Sequence, residues 1–385
     1  MDVRSAMKKV PRYRWFLWAA FLAAALFFIL QMGFLPGGHG APAPKGFELL
    51  DSLMRLVRND YLEERDPVQT AEGTYRGLVN SLDPLSAYLT KDLLASYKAR
   101  TGMETEPGVV VLKRYAGFPQ VMAVVEKSPA EALGIKTGDL LSAIGGRNTL
   151  SMSLAEVKLL LRGTNDEPVR LRVLRGGETL ELSVPRALLF PAPFTFARAD
   201  GKPAVLRVHR FASSLVSDLR RDVVPDLKRR KTPLVLDVRS CQDGELEEAR
   251  KFVNLFAKTA DAGHFESLGG AKETISCPDE PELGAIPLVV WIDAGTAGPA
   301  ELAAGILQEV RKTKVVGFAT SGLVGRTTFF SLKDDSAVLL TSGVFSLPSG
   351  RKLWDEGVRP DVAIPIDKLN EKSYLEKTIP LLPKL

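Results

Sequence analysis

Pro287-Leu288-Val289-Val290-Trp291-Ile292-Asp293-Ala294-Gly295-Thr296-Ala297-Gly298-Pro299-Ala300-Glu301-Leu302-Ala303-Ala304-Gly305 places an apolar run, a glycine-containing turn and an alanine-rich helical pattern one after another. The apolar run is bounded by proline on one side and by the turn on the other, which reads as a buried strand over 288–292. A helix is predicted over 300–311. Working outward, the same alternation recurs from about 203 to 366. Strands are predicted over 204–208, 234–238, 314–317, 328–332 and 338–341, and helices over 214–229 and 245–257. Strands that alternate with helices point to an α/β layer with a largely parallel central sheet.

Upstream the texture differs. From about 101, short β-branched runs are separated by glycines, with strands predicted over 108–111, 121–125, 169–174 and 179–184. Arg175-Gly176-Gly177-Glu178 joins the last two as a hairpin, and 153–161 reads as a short helix. The segment Ser128-Pro129-Ala130-Glu131-Ala132-Leu133-Gly134-Ile135-Lys136-Thr137-Gly138-Asp139-Leu140-Leu141 resembles the most recognisable part of a PDZ domain, and the resemblance spans 101–187. A PDZ domain implies capture of an extended peptide along a sheet edge, its C-terminal carboxylate meeting backbone N–H groups. The loop that performs this reads Gly108-Val109-Val110-Val111. Val110 stands where the family has a second glycine, and it resists the positive φ that glycine permits. Leu154, Val157 and Leu161 of the following helix are candidates for the groove wall or for the core.

Before this domain, Leu50, Leu53, Met54, Val57 and Tyr61 recur with helical spacing, and further helices are predicted over 68–80 and 91–99. Together with a Pro- and Gly-rich linker they make 36–100 a linker and small helical domain. The 385-residue chain carries a formal charge of +5, but residues 1–14 alone hold Arg4, Lys8, Lys9, Arg12 and Arg14 against Asp2. The body is therefore nearly neutral, which argues against a nucleic-acid partner. The uncharged run 15–35 that follows is long enough to cross a bilayer core, with the basic segment 1–14 left cytoplasmic. A cleaved signal peptide has a shorter apolar region, and Pro44 directly follows the cleavage-like Ala41-Pro42-Ala43. The expectation is a single-pass anchor in the cell inner membrane with everything after 36 on the extracytoplasmic (periplasmic) side. Two cysteines, Cys241 and Cys277, and three scattered histidines, His39, His209 and His264, leave no disulfide scaffold and no metal-ligand spacing; no metal and no cofactor are expected.

Leu82-Asp83-Pro84-Leu85-Ser86-Ala87-Tyr88-Leu89-Thr90, the PDZ-like segment, Leu236-Asp237-Val238-Arg239, the stretch quoted first, Pro348-Ser349-Gly350-Arg351 and Gly357-Val358-Arg359-Pro360-Asp361-Val362 follow one another in order. Together they resemble the carboxy-terminal processing peptidases, or tail-specific proteases, across about 48–366. The resemblance implies a multidomain α/β protein: transmembrane helix, small helical domain, PDZ domain, crotonase/ClpP-like peptidase core over 188–368, and a tail over 369–385. It implies peptide or protein C-termini as partners, and a serine nucleophile activated by a lysine base that a glutamine orients.

Those groups are not here. The family's serine belongs in a Gly-Ser-Ala-Ser-Ala-Ser-Glu run, read here as Gly295-Thr296-Ala297-Gly298-Pro299-Ala300-Glu301. Glu301 and the helix behind it set the register, so Gly298 takes the nucleophile's place. The lysine's place falls on Leu323 and the glutamine's on Thr327. The oxyanion region reads Cys241-Gln242-Asp243-Gly244, and Pro299 removes a backbone N–H just after the nucleophile position. The expectation is a pseudopeptidase that serves as an adaptor or regulator of proteolysis. The alternative is an active serine-type endopeptidase with a relocated nucleophile: Thr296, Ser321, or Cys241 approached by His209 or His264. A third reading is a small-ligand binder that reuses the cleft.

Overall fold

Leu234, Leu236, Val290 and Ile292 pack in one apolar cluster, while Val235, Val289 and Trp291 pack in another. That period of two across adjacent strands is what a sheet covered on both faces requires. In the computed structural model, which describes residues 45–62, 67–100, 104–163, 167–199 and 201–383, this sheet lies at the centre of the second of two compact units. The first unit runs to Ala71 and contributes helix α1 (Lys45–Asp60) and the start of α2 (Pro67–Asn80); the second begins at Glu72. The expected membrane span over 15–35 lies outside the described residues. Among the described residues, no helix is long and apolar enough to cross a membrane.

In the second unit the chain runs through β1 (Ala87–Leu89) and α3 (Lys91–Lys98) to a PDZ-like body. That body holds β2 (Val109–Leu112), β3 (Gln120–Val124), α4 (Pro129–Ala132), β4 (Leu140–Ile144), β5 (Arg147–Asn148), α5 (Leu154–Leu161), β6 (Val169–Arg175) and β7 (Glu178–Val184). Its antiparallel sheet has the order β2-β3-β4-β6-β7, so β2 is an edge strand. The two helices start where a serine hydroxyl accepts from the third residue on: Ser128 from the Glu131 N–H, Ser153 from the Glu156 N–H.

The central sheet follows, from β8 (Phe194–Ala197), β9 (Ala204–Val208), β10 (Leu234–Asp237), β13 (Leu288–Ile292), β14 (Lys314–Gly317) and β17 (Val362–Ala363), in the order β17-β14-β13-β10-β9-β8. All its pairings are parallel except the edge pair β8–β9. Helices α6 (Leu215–Asp222), α7 (Val224–Arg230), α8 (Leu246–Asn254) and α9 (Pro299–Val310) supply residues to the apolar cluster on one face.

Four expectations differ from this. The helix expected over 214–229 breaks into α6 and α7 at Val223, because Pro225 enters the first turn of the second helix and cannot continue the first. The strands expected over 328–332 and 338–341 are real, as β15 (Gly325–Ser331) and β16 (Ala337–Ser346). They form a separate antiparallel sheet with β1, β11 (Thr259–Ser267) and β12 (Lys272–Cys277), not part of the parallel one. Within 36–100, expected as a linker and small helical domain, Ala87–Leu89 is a strand. It is held to β16 by Asp83, whose carboxylate accepts from the Thr341 hydroxyl at 2.8 Å. Finally, 369–385, expected as a tail, contains α10 (Glu371–Thr378). Tyr374 there donates its hydroxyl to Ile292 O at 2.7 Å, and Trp291 Nε1 donates to Thr378 Oγ1 at 2.7 Å, which covers the sheet's second face.

Candidate active-site cleft

Three loops at the carboxyl ends of β10, β13 and β14 converge: 238–245, 293–299 and 318–324. Ala297 N donates to Cys241 O at 2.9 Å, joining the first two loops. Glu301 joins the second to the third. It is fully buried in the first turn of α9, and its carboxylate accepts from Gly298 N (3.0 Å), Gly322 N (2.6 Å), Leu323 N (2.8 Å) and the Thr320 hydroxyl. Burial pushes this carboxyl up to about 7 even though all four hydrogen bonds favour the charged form.

The backbones at the positions that the sequence assigns to a nucleophile and a base are thereby brought close together, both N–H groups bonding the one carboxylate. Gly298 precedes α9 with φ +55° and ψ −117°, a conformation that side-chain-bearing residues adopt only under strain. A Cβ placed on it would meet nothing closer than Gln242 O at 3.7 Å and Leu323 O at 3.9 Å. There is room for a side chain, and none is present. Leu323 is 7% exposed and belongs to the PDZ-like body's own apolar cluster, as does Ala297. The two bodies also meet at Gly295, where a Cβ would lie 2.9 Å from Ala123 Cβ and 3.2 Å from Val110 Cγ1. Only a glycine lets the sheet edge come this close.

A cleft of about 970 Å³ opens beside these loops, bordered by Gly298, Pro299, Leu323, Thr327, Asp243 and Gly244. The candidate positions of the peptidase core thus share one cavity. Of the PDZ candidates, Val109 and Val110 border it as well, and Val110 takes ordinary strand backbone. Gly108 sits at φ +88° against Ser128, where any Cβ would collide. Val111, Leu154, Val157 and Leu161 belong to the apolar cluster and do not border the cleft, which makes them core; Val109 belongs to that cluster and borders the cleft as well. Lys158 and Arg162, not singled out from the sequence, are the residues of this helix region that face the cleft. Their four-residue spacing, two cations one turn apart, was the available signal.

Arg162 ion-pairs with Asp243 across the cleft; Lys158 Nζ lies 3.8 Å from Asp243 Oδ1, and Arg162 Nε lies 3.7 Å from Glu106 Oε2. Burial alone would raise the Asp243 carboxyl, but Arg162 and Lys158 outweigh it and hold it well below the usual range. Burial lowers Lys158, which Asp243 only partly offsets.

The hydroxyls and thiol near the cleft are otherwise engaged. Thr296 is fully buried, and its Oγ1 lies 2.9 Å from Val238 O, 3.1 Å from Asp293 Oδ1 and 3.1 Å from Asp293 N. Ser321 Oγ donates to Ala294 O at 2.6 Å. Cys241 is fully buried with its thiol pushed well up by burial, and Cys277 is a second buried free thiol, so the two are not joined. His209 borders the cleft, stacked on Phe190 at 4.2 Å and lowered to about 4 by burial and the nearby Arg207. His264 lies on β11. Arg326 is paired with Glu273.

Comparison with known proteins agrees with this architecture. Residues 202–364 match peptidase family S41, and residues 120–175 match the PDZ domain. A "Probable CtpA-like serine protease" of Staphylococcus aureus (strain COL) is 25% identical over 332 residues, 86% of this chain and 67% of that protein. The carboxy-terminal processing protease CtpA of Bacillus subtilis (strain 168) is 25% identical over 334 residues, 86% of this chain and 71% of that protein. Among solved structures, the photosystem II D1 C-terminal processing protease shares the fold, with a TM-score of 0.69 at 23% identity over 86% of this chain and 90% of that one. A segment that matches peptidase family S41 and a segment that matches the PDZ domain thus border one cleft, in a chain similar along 86% of its length to carboxy-terminal processing proteases.

Proposed function

We propose that this chain is a membrane-anchored, extracytoplasmic pseudopeptidase that binds peptide or protein C-termini and acts as an adaptor or regulator of proteolysis. One observation carries the reading: Gly298 and Leu323, the residues that the family resemblance aligns with the nucleophile and the base, border one cleft. Neither offers a group that attacks or accepts a proton. Further support comes from Thr296, Ser321 and Cys241, whose side chains are committed or buried, and from Pro299, which withholds an oxyanion donor. The cleft keeps an apolar border at Val109, Val110 and Leu323 and an edge strand, β2, features suited to an extended peptide. The test is binding without turnover. Full-length protein in detergent micelles is mixed with a pool of fluorescein-labelled decapeptides ending in Ala, Val or Leu. Micromolar binding, about −8 kcal/mol, is expected, with free C-termini preferred over amidated ones and no cleavage products. Equal affinity for acid and amide forms removes C-terminus recognition from the reading.

The anchor makes its own prediction. Basic residues ahead of an uncharged run place the N-terminus inside and the body outside. Protease added to spheroplasts should degrade the body while the N-terminus survives until lysis. A protected body, or a mature protein lacking residues 1–40, contradicts the assignment.

A further inference from the structure

The cleft contains a carboxylate that belongs to the protein itself. Asp243 comes from the core loop and reaches across to the PDZ body. There Arg162 and Lys158 both address it. The two cations are one helical turn apart, at the flank of the apolar stripe formed by Leu154, Val157 and Leu161, and both border the cleft. Side chains long enough to reach solvent are instead held half-buried around Asp243, with Glu106 a second acid beside Arg162. A guanidinium beside an ammonium is a strong receptor for a carboxylate. Val109 and Val110 of the edge strand lie on the same cavity and supply a track that leads an extended chain to it.

Resting on the peptide-binding reading above, we propose that Lys158 and Arg162 form the receptor for the terminal carboxylate of a bound peptide, and that Asp243 is its built-in occupant. Binding then exchanges one carboxylate for another. The cations keep a partner throughout, and Asp243 turns out toward water, so the exchange leaves no buried charge unpaired. Because Asp243 is tethered, it competes at a high effective concentration and sets a threshold that weak or amidated ligands do not pass.

The experiment uses the full-length chain in micelles and the same decapeptide pool, acid and amidated. Asp243→Asn is expected to tighten binding of the acid pool at least tenfold and leave the amidated pool unchanged. Adding Arg162→Gln to Asp243→Asn should return the acid pool to wild-type affinity or weaker. Should Asp243→Asn fail to fold, as read from its melting curve, Asp243→Ser takes its place in both arms. The proposal is overturned if Asp243 substitution leaves the acid pool unchanged, if it tightens acid and amidated pools alike, or if the gain survives Arg162→Gln. Binding of the acid pool by wild type that ignores Asp243 defeats this inference alone. Absence of binding by every variant defeats the peptide-binding reading along with it.

Discussion

Purified protein is expected to leave an unstructured substrate such as casein intact, and Gly298→Ser combined with Leu323→Lys is expected not to restore cleavage. The geometry at residue 298 accommodates a serine, since the added Cβ meets nothing closer than 3.7 Å, though φ +55° costs about 1–3 kcal/mol in strain. The obstacle is at 323. Leu323 is packed in the PDZ body's apolar cluster, so an ammonium there loses most of its water. Such a charge costs several kcal/mol. It neutralises, moves away and loosens the contact between the two bodies. The double variant should therefore unfold at a lower denaturant midpoint, by an amount equivalent to about 3–5 kcal/mol, while product formation stays at the buffer level. Pro299 and Asp243 remain in place in that variant, so even a charged, correctly placed pair would lack a normal oxyanion environment. Casein cleavage by the wild-type protein, abolished by Thr296→Ala, Ser321→Ala or Cys241→Ala, would overturn the assignment of inactivity.

Replacing Glu301 should produce the other large effect. Glu301→Ala leaves three backbone N–H groups and the Thr320 hydroxyl without their acceptor, in a place water reaches poorly. At about 1–3 kcal/mol for each unsatisfied buried group, and with incomplete additivity, a loss of about 3–5 kcal/mol is expected in urea unfolding. A loss under about 1 kcal/mol would mean the three loops are held together by something else. The same residue carries a pH signature. Its carboxyl titrates near 7 in the folded protein against about 4.5 when unfolded. Between those values the folded state holds a proton that the unfolded state lacks, so this group's stabilising contribution is complete below about 4.5 and declines as pH rises through about 7. Glu301→Gln removes that titration. The stability advantage of wild type over Glu301→Gln should therefore narrow from about pH 5 to about pH 8 by about 2–3 kcal/mol. A gap that widens over this range reverses the sign and refutes the assignment.

The glutamate shows what kind of information crosses from sequence to site. As a letter it served to align the run at 295–301, and that alignment put Gly298 and Leu323 at positions which the fold does bring together: a Cβ on residue 298 would lie 3.9 Å from Leu323 O. As a physical group its purpose was not legible, because two of its donors, Gly322 and Leu323, come from a loop that only the parallel order of β13 and β14 places beside α9. Lys158 and Arg162 were missed for a related reason. In the linear chain they are charges on a helix, of the sort that faces water; they become site residues only because a core loop some eighty positions later presents Asp243 to them.

Local signals account for what the sequence by itself determined. Apolar periodicity, capping serines and glycine turns depend on neighbours a few residues apart, so four of the PDZ strands, β2, β3, β6 and β7, and the β10–α8 and β13–α9 units were readable. Tertiary structure alone decided how these parts were distributed. Strands β15 and β16 read as members of one sheet, yet they pair with β1 and β11 in another, because register and partner are set by long-range burial, not by a strand's own residues. Helix α10 reads as a tail until Tyr374 and Thr378 find Ile292 and Trp291, more than eighty residues away, and the sheet's second face is closed. Leu323, finally, reads as a lost base; it becomes an interdomain packing residue because the PDZ body's apolar surface is there to receive it.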